Sequence, residues 1–200
     1  MAEIKSTMEM VLARAARLEA EQSGAEGLGE DRLKEDGMRA GAAFMRGEET
    51  DLAALLAGCP AVARPHFIRG VAAALLRNII LPRAGEQLET ARQAMNGLVR
   101  VGGNNPELLA IFGDLTKILE QYRQHGEQLK EQLEANFAPL MPQLEAAMAQ
   151  KTGQVMKLKP SQHPKFQEEL QRAMDDLNGQ YGRAIDQHKQ MVGQILTSLV

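Results

Sequence analysis

The side chains able to do chemistry are few and far apart. Cys59 is the only cysteine in 200 residues. A thiol becomes a nucleophile when a base or a cation holds it as thiolate, and its nearest histidine in the chain is His66. A thiol next to Pro60 in a loop is ordinarily inert, and that reading is adopted for Cys59. His125 stands beside Gly126, and His188 interrupts an apolar helix face. His188 could be a ligand or a pH-sensitive core residue, but a hydrogen-bonded interior or edge histidine explains it more simply, and a rough antiparallel pairing does not bring the two histidines together. There is no helical Glu-x-x-His pair of the kind that builds two-metal sites in bundles. The Gly102-Gly103 pair has neither the spacing nor the lysine of a phosphate-binding loop. The sequence therefore predicts no catalytic residue, no metal site and no cofactor, and the expectation is a non-enzymatic protein.

Two cationic groups carry more information. Lys151, Lys157, Lys159 and Lys165, with His163, fall in a stretch with no acidic residue between Glu145 and Glu168. Arg64, Arg69, Arg77, Arg83, Arg92 and Arg100 supply every basic side chain between residues 61 and 104, where only Glu86 and Glu89 are acidic. Arginine suits both phosphate recognition and interhelical ion pairs. With a net charge of only −3, the favoured reading of the arginines is pairing with the acidic N-terminal helices. The lysine stretch reads as a solvated loop or, alternatively, as a contact point for an acidic protein or a nucleic acid.

The elements that must position these groups are helices. Ala, Leu and Met dominate the apolar content, there is no Trp, and β-branched residues are sparse, a mixture that favours helix over strand. From Leu108 to Met156 apolar residues recur every eleven positions: Leu115, Ile118, Tyr122; Gly126, Leu129, Leu133; Phe137, Leu140, Leu144; Met148, Lys151, Val155. From Phe166 to Val200 the period returns as Phe166, Leu170, Met174; Leu177, Tyr181, Ile185; His188, Val192, Leu196; Leu199. Eleven residues in three turns is about 3.67 per turn, which keeps each stripe on one side of a nearly straight helix. Two such stripes joined near residues 151–165, where Gly153, Pro160 and Pro164 fall, predict a long antiparallel hairpin. Tyr122, Phe137, Phe166 and Tyr181 are read as core or interface residues of that hairpin. Pro139 and Pro142 each remove a donor and crowd a carbonyl, so a break near residues 136–142 is predicted.

Ahead of the hairpin, Ser6-Thr7-Met8-Glu9 has the form of a capping box opening a helix to about Gln22. Glu3-Ile4-Lys5-Ser6-Thr7, followed by Leu12 and Arg14, resembles the start of an uncharacterised family of small helical bacterial proteins. That resemblance implies no activity and transfers no functional residue. Residues 23–29 read as a glycine-rich loop and 30–46 as a helix, with small residues at Gly37, Ala40, Gly41 and Ala42 that permit a close neighbour. Thr50 is placed as the cap of a short helix through Leu56. A central apolar helix is predicted from Arg64 or Pro65 to Leu81, stopped by Pro82. Another follows to Val101, with Ala84, Leu88, Ala91, Met95 and Leu98 at seam spacing. Asn105-Pro106-Glu107 restarts the chain after the Gly102-Gly103-Asn104 break.

These readings predict an all-α protein: a helical bundle module over residues 1–104 and a long coiled-coil-like hairpin over 105–200. The most apolar stretch, Val71 to Leu81, carries Arg77 and Asn78 and falls short of a bilayer span, so no membrane insertion is expected. The single cysteine and the absence of a signal-like start point to the cytoplasm. A two-helix arm leaves part of its stripe uncovered, so a protein partner is expected, most simply a second copy in a homodimer. The interface would use Leu115, Ile118, Tyr122, Leu129, Leu133, Phe137, Phe166, Leu170, Leu177 and Tyr181. A nucleic-acid accessory factor using the arginines or the lysine tip is the alternative. A small-ligand pocket near the Val71 to Leu81 helix is a third reading, with no polar constellation visible in the sequence to support it.

Overall fold

The computed structural model of the chain describes residues 29–83 and 85–199. The N-terminal capping box, the first predicted helix and the residues behind the family resemblance lie outside the described residues, as does Ala84 of the predicted seam.

The described residues are all-α. Helix α1 occupies residues 29–45. It is followed by α2 (Leu52–Gly58), α3 (Arg64–Leu76), α4 (Gly85–Val101) and α5 (Pro106–Phe137). A single 3-10 turn, Ala138–Leu140, leads into α6 (Met141–Thr152). A second 3-10 turn, Pro160–Gln162, precedes α7 (Phe166–Ser198). Among the described residues no helix is long and apolar enough to cross a membrane.

The chain groups into two compact units. Of the described residues, the first contains those up to Arg77, Asn96–Asn104 and those from Gly193 on; the second contains those within Asn78–Met95 and Asn105–Val192.

In the first unit the small residues of α1 set the packing. A β-carbon at Gly37 would stand 2.2 Å from the Phe67 carbonyl oxygen, and one at Gly70 would stand 2.0 Å from that of Lys34. Each glycine thus lets the opposite backbone approach to a distance no alanine permits, and α1 and α3 cross through a reciprocal pair. On α4, Gly97 faces the Phe44 ring and Leu75 in the same way, and the Arg100 guanidinium lies 5.6 Å over the Phe44 ring centroid. Phe67, Ile68, Val71 and Leu75 of α3 are buried, as expected of a central helix.

Two local predictions change. The cap of α2 is Asp51, not Thr50: its Oδ1 accepts the N–H groups of Ala53 and Ala54, both at 3.1 Å. A carboxylate at the cap also meets the positive end of the helix dipole. Helix α3 ends at Leu76 rather than Leu81. Residues 79–82 run outside any helix, Ile79 fully buried and its neighbour Ile80 46% exposed. Leu81 precedes a proline, and Ile79 and Ile80 are β-branched, so both disfavour a last helical turn. In the open backbone Ile79 and Pro82 are buried.

Several predicted helix ends recur along α4, α5 and α6. Leu88, Ala91 and Met95 are buried along α4. After the break, where Gly103 and Asn104 both have positive φ, Asn105 caps α5 by accepting from Glu107 N–H at 2.8 Å, with Pro106 in the first turn. Helix α5 stops at Phe137, and the 3-10 turn containing Pro139 carries the chain into α6, so the rod breaks where its prolines require. Gly153, at φ 72°, closes α6 in the left-handed conformation.

Helices α5 and α7 run antiparallel, because partners on α7 fall in number as those on α5 rise. Tyr122 meets Asn178 and Tyr181, Gly126 faces Met174 and Leu177, and Phe137 meets Phe166. The predicted stripe is therefore the contact between them. Leu115, Tyr122 and Phe166 are buried, while Ile118, Leu129, Leu133, Phe137, Leu170, Leu177 and Tyr181 are half-buried. Near the base the fully buried residue is Leu119 rather than Ile118.

Candidate functional site

The hairpin places its polar side chains in three groups. The first lies between α5 and α7. The Tyr122 hydroxyl donates to Asn178 Oδ1 at 2.7 Å, and the Tyr181 hydroxyl meets His125 Nδ1 at 2.7 Å. The two tyrosine rings stand edge to face with centroids 5.5 Å apart. His125 and His188 are not brought together. His188 donates from Nδ1 to the Ala184 carbonyl of its own helix at 2.7 Å, a hydrogen-bonded histidine as the sequence suggests.

The second group is the tip. Lys151, Lys157, Lys159 and Lys165 are all exposed, and none forms an ion pair with a described carboxylate. The last acid before them, Glu145, is turned inward and accepts the Leu158 N–H at 2.7 Å, tying the loop to α6. His163 is half-buried beside the lysines. Its ring packs on Phe137 with centroids 4.8 Å apart, and its Nδ1 accepts the Lys165 N–H at 3.2 Å. Val155 and Met156 are exposed beside the lysines, Val155 to 89%.

The third group lies at the end of the Val71 to Leu81 stretch, where the sequence offered a small-ligand pocket but showed no polar constellation. The segment after α3, the first turn of α4, α5 and α7 enclose a cleft of about 480 Å³, lined by Ile79, Ile80, Leu81, Arg83, Gln87, Tyr122, Asn178, Gly182, Ile185, Asp186 and Lys189. Ile79 and Ile185, both buried, make an apolar floor. Burial raises the Tyr122 hydroxyl above its ordinary pKa of 10.0, opposed by the positive charge of Arg83. Burial lowers the Lys189 ammonium from 10.5, opposed by the Asp186 carboxylate. One signal was on α7: Asn178, Gly182, Asp186 and Lys189 recur at spacings of four, four and three, so three polar side chains and a glycine share one face beside the apolar stripe.

Among the described residues, four arginines of the middle each have their own surroundings. Arg92 spans Glu89 at 2.6 Å and Glu120 of α5 at 2.7 Å, Arg100 covers Phe44, Arg64 donates to the Cys59 carbonyl at 3.1 Å, and Arg83 enters the cleft. The carboxylate partners of Arg92 belong to α4 and α5, and residues 1–28 of the acidic N-terminal segment lie outside the described residues. The Cys59 thiol is directed at the Leu55 carbonyl, 3.3 Å away, and His66 Nε2 lies 3.6 Å from Glu30. The thiol and the imidazole thus have separate partners. Among the described residues there is no group of three or more His, Cys, Asp or Glu side chains arranged to hold a metal ion.

Comparison of the chain with curated proteins and with solved structures returns no match. The sequence model of a family of unknown function matches residues 53–194, from α2 almost to the end of α7. The chain belongs to this family, DUF6657.

Proposed function

We propose that this chain is a non-enzymatic interaction protein that works through its hairpin, with a second copy of itself as the first partner. The observation that carries this reading is the state of the stripe beyond Tyr122. Leu129, Leu133, Leu170 and Leu177 face the opposite helix yet remain only half-buried. Two helices in contact cover one side of each stripe; a four-helix arrangement covers both, which is the usual solution for such seams. On one side of the hairpin a shallow groove of about 270 Å³ is lined by Leu129, Ala173 and Leu177, by Gln128, Gln132 and Gln180, and by His125 and Asp176. Its apolar residues continue the half-buried stripe and offer a surface for a helix of an identical hairpin.

Light scattering from low-micromolar to near-millimolar protein tests it. The expected result is a dimer that Leu129→Glu combined with Leu177→Glu converts to monomer without loss of helicity. A wild-type chain that stays monomeric throughout overturns it.

A second reading draws on the tip, where four exposed lysines lack described acidic partners. Here the partner would be a nucleic acid held by its phosphates. Binding would weaken steeply with salt and vanish on changing Lys151, Lys157 and Lys159 to Glu. Absence of RNA or DNA binding at low salt removes this reading.

A further inference from the structure

We propose that the cleft bounded by Arg83, Tyr122, Asn178 and Lys189 is a binding site for a small organic monoanion: a carboxylate carried on a compact apolar body.

Its size lies within the range of small-molecule sites, and all of its walls belong to one compact unit. The floor is apolar, since Ile79 and Ile185 are 0% and 3% exposed. Above it the hydrogen-bonding groups are unbalanced in favour of donors. Asn178 Oδ1 is occupied by the Tyr122 hydroxyl, which leaves the Asn178 amide nitrogen as a donor. The Gln87 side-chain oxygen is occupied by the Arg83 backbone N–H. The Arg83 guanidinium and the Lys189 ammonium add only donors. Asp186 is the sole carboxylate in the lining, so the charged side chains sum to one positive charge.

A ligand that satisfies this set brings an acceptor-rich anionic group to the donors and an apolar body to the isoleucines. The Lys189 ammonium is partly desolvated in the free protein, and a carboxylate beside it would restore the interactions that burial removes. Asp186 limits the ligand to a single negative charge, because a second would face it unpaired.

The test uses the full chain and calorimetric titration with octanoate and 2-naphthoate, with octylamine as a probe of similar apolar body and opposite charge. Sub-millimolar binding is expected for at least one of the two acids and none in that range for the amine. Arg83→Gln and Lys189→Met should each weaken acid binding by at least about tenfold, the scale of one lost charge-assisted contact. Gly182→Leu supplies an independent arm. A β-carbon at Gly182 meets nothing within 4 Å, so the leucine enters the cleft while its backbone stays in place. It should abolish acid binding with helicity and thermal midpoint retained. Failure of both acids to bind, equal binding of octylamine, or unchanged affinity in the folded Lys189→Met and Gly182→Leu proteins overturns the proposal. The double glutamate variant at Leu129 and Leu177 should bind the acids like the wild type, so the outcome is independent of the dimer reading.

Discussion

The Tyr122 hydroxyl donates to Asn178 Oδ1 across the hairpin at 2.7 Å, from a ring that is only 5% exposed. One turn further on, Tyr181 repeats the device toward His125. Polar pairs of this kind specify register in a helical hairpin, because sliding either helix by a turn would bury a hydroxyl with no partner.

Replacing Tyr122 with Phe removes the donor and keeps the ring. We expect a loss of about 1 kcal/mol, the usual net worth of one hydrogen bond, with an unchanged denaturant slope. Chemical unfolding followed by circular dichroism measures both. A neutral result would show that Asn178 is satisfied equally well by water.

The two shifted groups of the cleft give opposite pH dependence. Tyr122 is raised above 10.0 in the native state, so between 10.0 and its native value the folded chain binds more protons than the unfolded one, and stability falls as pH rises. Lys189 is lowered below 10.5. Between its native value and 10.5 the unfolded chain binds more protons, and stability rises with pH. Lys189→Met should therefore stabilise the protein at neutral pH and steepen its loss of stability in alkali. With Tyr181→Phe leaving one tyrosine of the two, tyrosinate absorbance should give a midpoint above 10.0.

Glycines separate sharply into those that cannot be replaced and those that can. Gly37→Ala and Gly70→Ala place a β-carbon against backbone carbonyl oxygen at 2.2 and 2.0 Å, and each should cost roughly 3 kcal/mol or more as α1 and α3 are forced apart. At Gly126 a β-carbon would sit 3.8 Å from Met174 Cε, an ordinary contact. Gly126→Ala should stabilise by about 1 kcal/mol through helix propensity. Thermal unfolding of the three variants distinguishes crossing from non-crossing glycines directly.

Arg92 links α4 to α5 through Glu120, with both side chains about 40% exposed. A pair this accessible is worth less than about 1 kcal/mol. Arg92→Met should therefore cost little, and most of its effect should disappear in high salt. A large, salt-insensitive loss would mean that the aliphatic stem of Arg92, and not its charge, holds the helices together.

The sequence by itself determined the helices and several of their ends. Capping at Asn105, the halt at Phe137 before Pro139, and the left-handed Gly153 all follow from short-range backbone chemistry, which is why they could be read locally. The eleven-residue recurrence likewise marks the faces that α5 and α7 bury, since periodicity is a property of one helix at a time. Local rules went astray where neighbours competed. Asp51 displaced Thr50 as a cap because charge adds to hydrogen bonding, and α3 stopped at Leu76 because the core takes Ile79 from an open strand of backbone. His163, grouped with the lysines by proximity in the chain, packs on a phenylalanine 26 positions earlier. Only the tertiary structure decided which pairs meet. The register setting Tyr122 against Asn178 depends on how two helices pack over their full length. The cleft draws Arg83, Tyr122 and Lys189 from three separate segments, and no spacing along the chain encodes that convergence.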